Sequence, residues 1–141
     1  MSKPKLLDLF CKAGGAAMGY HRAGFDVLGV DIEPQKNYPF EFRLGDALEI
    51  LKDQDFIQQF DVIHASPPCQ AYSICTPIDR KASHPDLIAP IRQLLKASDK
   101  PFIIENVAGA RRLLHDAFYL CGTMFGLKIW LHRYFETKPV L

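Results

Sequence analysis

The sequence predicts an α/β domain, with a mostly parallel central sheet and helices on both faces. Three observations predict it. Short, nearly continuous apolar runs, "KLLDLF", "FDVLGVD", "FDVIHA" and "PFIIENV", read as strands buried on both sides. Stretches of helical spacing separate them, as parallel strands need a crossover. Polar and acidic residues gather just past the apolar runs, at the strand ends where open α/β sheets collect ligands.

Taken in order, "KLLDLF" runs straight into "CKAGGAAMGYHRAG". The glycines permit a tight turn, and Ala16 to Ala23 then form a helix that stops at Gly24. "FDVLGVD" is a second strand ending on Asp31, with a short helix beginning near Pro34. "FEFRLGD" is a weaker third strand ending on Asp46, and Ala47 to Gln59 follow as a helix. "FDVIHA" precedes a loop bearing Pro67, Pro68 and Cys69, which continues polar and proline-bearing through "YSICTPIDRKASHP". Asp86 to Ser98 carry Leu87, Ile91, Leu94 and Leu95 at helical spacing, with Pro90 tolerated in the first turn. "PFIIENV" is a fifth strand, and "FYLCGTMFGLKIWLHRYFE" holds two more short strands around a glycine turn.

The 141 residues, 48% hydrophobic and 23% charged, suit one folded domain spanning 1–141. A formal charge of +1 neither demands nor excludes a nucleic-acid partner. No segment has the pattern of a signal peptide and no apolar run is long enough to cross a bilayer, so the expected setting is cytoplasmic or nucleoid-associated, with no membrane partner. Cys11, Cys69, Cys75 and Cys121 are far apart and form no CxxC pair, which points to free thiols and to no metal site.

Each polar strand end admits a functional and a structural reading. Gly14 and Gly15 allow close backbone approach to a ligand at a helix start, or simply a tight turn. The full GxGxxG pattern is absent, which favours a nucleotide-like cofactor without a pyrophosphate. Asp31 is placed to accept ribose hydroxyls or to cap the helix near Pro34; Ile32 to lie against an adenine ring or fill the core; Asp46 to accept an adenine amino group or cap the next helix. An unassisted thiol, with a pKa of about 8.5, is mostly protonated at neutral pH, so Cys69 needs help to act as a nucleophile. Its proline frame favours presentation over core filling. Glu105 is an acid at the end of an apolar strand, rarely placed there without a partner or task. Arg133, in an aromatic run, is suited to bind an anion, to pair with Glu105, or to reach solvent along its stem.

In order, "DLFCKAGGAAMG", "ASPPCQAYS" and "IIENV" resemble the cofactor loop, the PCQ nucleophile loop and the ENV strand end of the cytosine-C5 DNA methyltransferase family, and "HRYFE" is similar to the remainder of its QxRxR segment. The resemblance implies a Rossmann-like S-adenosylmethionine-dependent methyltransferase fold, S-adenosyl-L-methionine as cofactor, and DNA with a flipped cytosine as substrate. It implies Cys69 as the attacking thiol, Glu105 as the carboxyl engaging the base and Arg133 as the surviving cation beside it. Phe10, Gly14, Gly15, Asp31, Ile32, Asp46 and Pro68 would border the cofactor; Gln70 would support the loop, and Ser73 would meet DNA phosphate.

Three departures stand out. Lys12 and Ala13 occupy a turn that is commonly shorter or richer in glycine, and the paired glycines are expected to make this tolerable. Leu131 replaces the first arginine of RxR, and the expectation is either weakened activity or substitution by another basic residue such as Arg111 or Arg112. The family also continues into a target-recognition domain, so the expectation is a catalytic core whose DNA-reading surface comes from a homodimer or a separate recognition subunit. The alternative reading is a non-catalytic or partner-dependent module that binds cofactor or DNA.

Overall fold

The computed structural model describes residues 1–69, 73, 75, 77–81 and 86–141, without the Lys81 side chain; the expected role of Gln70 falls outside them. Parallel strands β1 (Lys5–Leu9), β2 (Asp26–Asp31), β3 (Glu41–Leu44), β4 (Val62–Ala65) and β5 (Phe102–Val107) join an antiparallel hairpin, β6 (Phe118–Cys121) and β7 (His132–Lys138). The seven-stranded order is β3-β2-β1-β4-β5-β7-β6. The predicted α/β architecture is therefore the observed one. Chain order reverses between β1 and β4, the switch point at which such sheets open a crevice beyond their carboxyl ends.

Alternation along β1 divides the core. Leu7 and Leu9 join Val30, Ile63, Ile104 and Phe102 beneath α2 (Ala47–Lys52), α3 (Gln54–Ile57) and α5 (Ile88–Ala97). Leu6 faces the other way, with Ala17 of α1 (Gly15–Arg22), Val27 and a rim of Tyr20, Phe25, Tyr38 and Phe40. Full burial of a leucine or isoleucine contributes about 1.5–3 kcal/mol, so the larger layer carries most of the apolar stabilisation. A single turn, α4 (Ile78–Lys81), lies in the connection after β4.

Two expected helices differ. The helix expected over Ala47 to Gln59 is broken at Asp53, which adopts φ −79°, ψ 87°. Its carboxylate accepts the Phe56 amide at 3.1 Å, starting α3 afresh, because a capping aspartate competes with helix continuation. No helix forms near Pro34. That segment is drawn onto the sheet instead by Tyr38, whose ring fills the space that side chains at Gly14 and Gly29 would need.

The hairpin is clamped to the layer beneath it by a buried ion pair. Arg92 of α5 donates to both carboxylate oxygens of Glu136 in β7, at 2.7 and 2.6 Å, and also to the Leu113 carbonyl. Burial alone would raise the Glu136 carboxyl; the Arg92 bonds and the His115 amide outweigh it and hold it below the ordinary range.

Candidate active site

The carboxyl ends of β1, β2, β4 and β5 surround a cavity of about 300 Å³, at the lower end of the range for small-molecule sites. Its wall includes Phe10, Asp31, Ile32, Asp46, Pro68, Cys69, Glu105 and Arg133, eight residues singled out by the sequence. Gly14 and Gly15 stand outside the wall, at the start of α1. Gly14 has φ +91°, and a β-carbon there would meet the Pro39 ring at 2.9 Å and the Tyr38 ring at 3.1 Å. Its glycine is demanded by the turn and by packing.

The loop after β1 is shaped by Asp31. One carboxylate oxygen accepts the Lys12 amide and the other the Glu33 amide, both at 3.0 Å. Lys12 takes a left-handed conformation, φ +47°, which disfavours a non-glycine residue by about 1–2 kcal/mol; its bond to Asp31 helps to offset that cost. Each oxygen retains acceptor capacity. The capping alternative for Asp31 thus turns out to be a loop clamp. Asp46 does cap α2, through Oδ1 to the Leu48 and Glu49 amides, and still lines the cavity. Ile32, 66% exposed, does not fill the core.

Cys69 follows two prolines whose position is fixed from β5. The Asn106 side chain donates to the Pro67 carbonyl at 3.1 Å, while its own oxygen accepts the Val107 amide at 2.9 Å. One residue earlier, Glu105 pairs with Arg133 of β7, Oε1 to Nε at 3.1 Å. The two residues of "EN" thereby serve the two halves of the site: the asparagine anchors the thiol loop and the glutamate faces the hairpin. Ser73 donates its amide to the Cys69 carbonyl at 2.8 Å.

Sequence reasoning missed a polar row under α1. Gly29, Asp8 and His64 lie side by side in β2, β1 and β4. His64 joins Tyr20 on α1, Nδ1 to hydroxyl at 2.8 Å, and Ser66 on the cavity wall, Nε2 to Oγ at 2.7 Å. Burial lowers the His64 pKa to about 4, keeping it neutral, with one ring nitrogen donating and the other accepting. Burial, and secondarily Asp31, raises Asp8 to about 7; its Oδ2 has no hydrogen-bond partner among the described residues. The available signal was a histidine inside the otherwise apolar "VIHA".

The four cysteines are free. Burial, reinforced by Asp8 and Asp31, pushes the Cys11 thiol up to about 12, which makes it a poor thiolate. Cys121 is buried, Cys75 is exposed, and neither lies on the cavity wall. Among the described residues no cluster of His, Cys, Asp or Glu is arranged to hold a metal ion, and no helix is long and apolar enough to cross a membrane. Arg111 stacks over Tyr134, 5.7 Å from the ring centroid. Tyr134 alternates with Arg133 along β7, so Arg111 packs on the face away from Arg133.

Comparison with solved structures defines the fold. The fold aligns with the Entamoeba histolytica methyltransferase EhMeth at a TM-score of 0.66 and 17% identity, covering 97% of this chain and 53% of that one. It aligns with a SAM dependent methyltransferase from Archaeoglobus fulgidus at a TM-score of 0.50 and 20% identity, covering 74% and 45%. This is the Rossmann-like fold of S-adenosylmethionine-dependent methyltransferases. Residues 4–118 match the C-5 cytosine-specific DNA methylase model, and the chain belongs to that family. It is 35% identical over 118 residues to the Type II methyltransferase M1.HphI of Haemophilus parahaemolyticus, covering 72% of this chain and 32% of that protein. Over 115 residues it is 32% identical to M.FnuDI of Fusobacterium nucleatum, covering 74% and 33%. The chain spans about a third of the length of these relatives.

Proposed function

We propose that this chain transfers a methyl group from S-adenosylmethionine to C5 of a cytosine in DNA, with Cys69 as nucleophile. The observation that carries the reading is the convergence of Cys69, Glu105 and Arg133 on the same cavity as Phe10, Asp31, Ile32 and Asp46. The donor set suits this cofactor. Two carboxylates at adjacent strand ends bracket an apolar slot, an arrangement that accepts ribose and adenine donors and favours a cation over a pyrophosphate.

In this reading Asp31 holds the ribose hydroxyls, Asp46 the adenine amino group, and Ile32 and Phe10 cover the flat faces of the cofactor. Bound S-adenosylmethionine supplies an electrophilic methyl group. A flipped cytosine enters beside Cys69, because its ring atoms are unreachable within a stacked duplex. The Cys69 sulfur adds to C6 as Glu105 holds a proton at N3, and the electron pair displaced from the C5–C6 bond makes C5 nucleophilic. Once C5 carries the methyl group, loss of its proton to a solvent water returns the electron pair, expels the Cys69 thiolate from C6 and restores the aromatic ring. Arg133 positions the Glu105 carboxyl, and Asn106 positions the thiol loop.

Labelled methyl transfer tests the reading, with duplex DNA, RNA and free cytidine nucleotides offered in parallel to the wild-type chain, Cys69→Ser and Glu105→Gln. Label is expected in DNA alone, absent with Cys69→Ser and reduced about 10²-fold or more with Glu105→Gln. Equal transfer by Cys69→Ser refutes the mechanism. Cofactor binding without transfer to any of the three indicates a binding module.

A further inference from the structure

The connection from β6 to β7 exposes an unusual run of large apolar side chains: Met124 55%, Phe125 64%, Leu127 58%, Ile129 49%, Trp130 79% and Leu131 46%. Contiguous exposure of this kind marks a contact surface. Three further observations say which. The first is position. Cys121 registers with His132, and Val107, the last residue of β5, registers with Arg133. The connection therefore leaves the sheet at the edge where the cavity opens, two residues from a cavity-wall arginine.

The second is charge. From Asn106 to Phe135 the sequence carries Arg111, Arg112, Lys128 and Arg133 against Asp116, with Arg133 paired to Glu105 just outside that run, in a chain whose net charge is only +1. The third is internal order. Leu127 donates its amide to Gly122 and Gly126 to Thr123, at 3.1 and 3.3 Å, and Gly126 takes φ +73°. A β-carbon on Gly122 would run into the Ile129 side chain and carbonyl. The apolar side chains thus stand on a closed, pre-shaped loop flanked by cations.

We propose that this loop is a DNA-contacting wedge, with Phe125 and Trp130 entering the base stack beside the cavity and filling the space a displaced base leaves. Apolar wedges that unstack duplex DNA are built in this way, from bulky side chains on a cation-rich frame, and a stable frame limits the ordering cost of insertion. A surface for a second copy of the chain would not require the cations or the proximity to the cavity. The inference rests on DNA as the substrate and adds how the chain would keep a base out of the helix.

Trp130 is the only tryptophan, so its emission reports directly on the loop. The full chain is titrated with intact duplex and with duplex carrying an abasic position, following Trp130 emission and, with labelled DNA, affinity at several salt concentrations. Quenching on DNA, tighter binding to the abasic duplex, and loss of that preference in Phe125→Ala and Trp130→Ala support the wedge. Each alanine variant is expected to weaken abasic binding about tenfold without changing the salt slope, whereas Lys128→Ala, within the loop itself, lowers the slope by about one. Silent emission at saturating DNA, equal affinity for both duplexes, or emission that changes with protein concentration as a dimer sediments overturns it. A quenched but catalytically inert chain leaves the wedge standing and rejects the enzymatic reading; methyl transfer with silent Trp130 does the reverse.

Discussion

The two ends of the sheet solve opposite problems. Around β1, β2 and β3, polar groups are answered locally: Asp31 holds the Lys12 and Glu33 amides, Asp46 caps α2, and Tyr38 packs over Gly14 and Gly29. Around β7 and β6, apolar and aromatic groups are turned outward. Trp130, His132, Tyr119 and Tyr134 follow one another at centroid distances of 5.2, 4.8 and 5.8 Å, with Trp130 79% exposed. The first end is finished as a small-molecule site is, with its geometry fixed in advance. The second resembles one side of an interface. Cys69 and Glu105 stand between them, tied to the hairpin by Arg133 and to the strand core by Asn106.

The clamp between the ends should show the largest effect on stability. Arg92→Ala leaves Glu136 buried without its partner, and urea unfolding is expected to record a loss of about 3–5 kcal/mol. Pairing Arg92→Met with Glu136→Leu should recover most of it, since no charge then stays buried alone. An exposed-pair effect, about 1 kcal/mol or less, would show that the hairpin does not depend on the clamp.

A smaller effect should separate the inward-facing polar row from the rest of the chain. His64 falls from 6.5 to about 4 on folding, so the unfolded chain takes up a proton the folded one refuses and this group costs stability as pH falls from 6.5 toward 4. Asp8 rises from 3.8 to about 7, so its contribution is complete below 3.8 and is lost as pH rises toward 7. Each has a slope of up to about 1.4 kcal/mol per pH unit, of opposite sign, and the two largely cancel. Relative to wild type, His64→Gln should lose stability as pH rises from 4 to 7, and Asp8→Asn should gain it from 4 to 6.5. Parallel profiles for all three proteins in urea unfolding at several pH values would refute the opposed pair.

Much of the first end was legible in sequence because its signals are local. "KLLDLF", "FDVLGVD" and "PFIIENV" form the strands their apolar runs predict, and eight expected residues reach one cavity wall. Most of what escaped depends on partners distant in sequence; the Asp53 cap onto Phe56, three residues on, is the local exception. The break at Asp53 and the absent helix near Pro34 follow from a capping carboxylate and from Tyr38 reaching across the sheet. The bonds from Asn106 to Pro67 and from His64 to Tyr20 span 39 and 44 residues. At the second end, apolar composition announced strands but not exposure. "MFGLKIWL" belongs to the run expected to hold two short strands around a glycine turn, and only the tertiary structure shows that it is the exposed connection between them.

The central claim is that Cys69 is the nucleophile of this cavity, and covalent trapping tests it most directly. In 5-fluorocytosine the atom lost from C5 is replaced by fluorine, so methylation cannot be followed by elimination and the sulfur stays bonded to C6. With S-adenosylmethionine and a fluorocytosine duplex, the wild-type chain should form a denaturation-resistant complex that peptide mass spectrometry assigns to Cys69, and Cys69→Ser should form none. An adduct on another cysteine, or an undiminished complex with Cys69→Ser, would contradict the account.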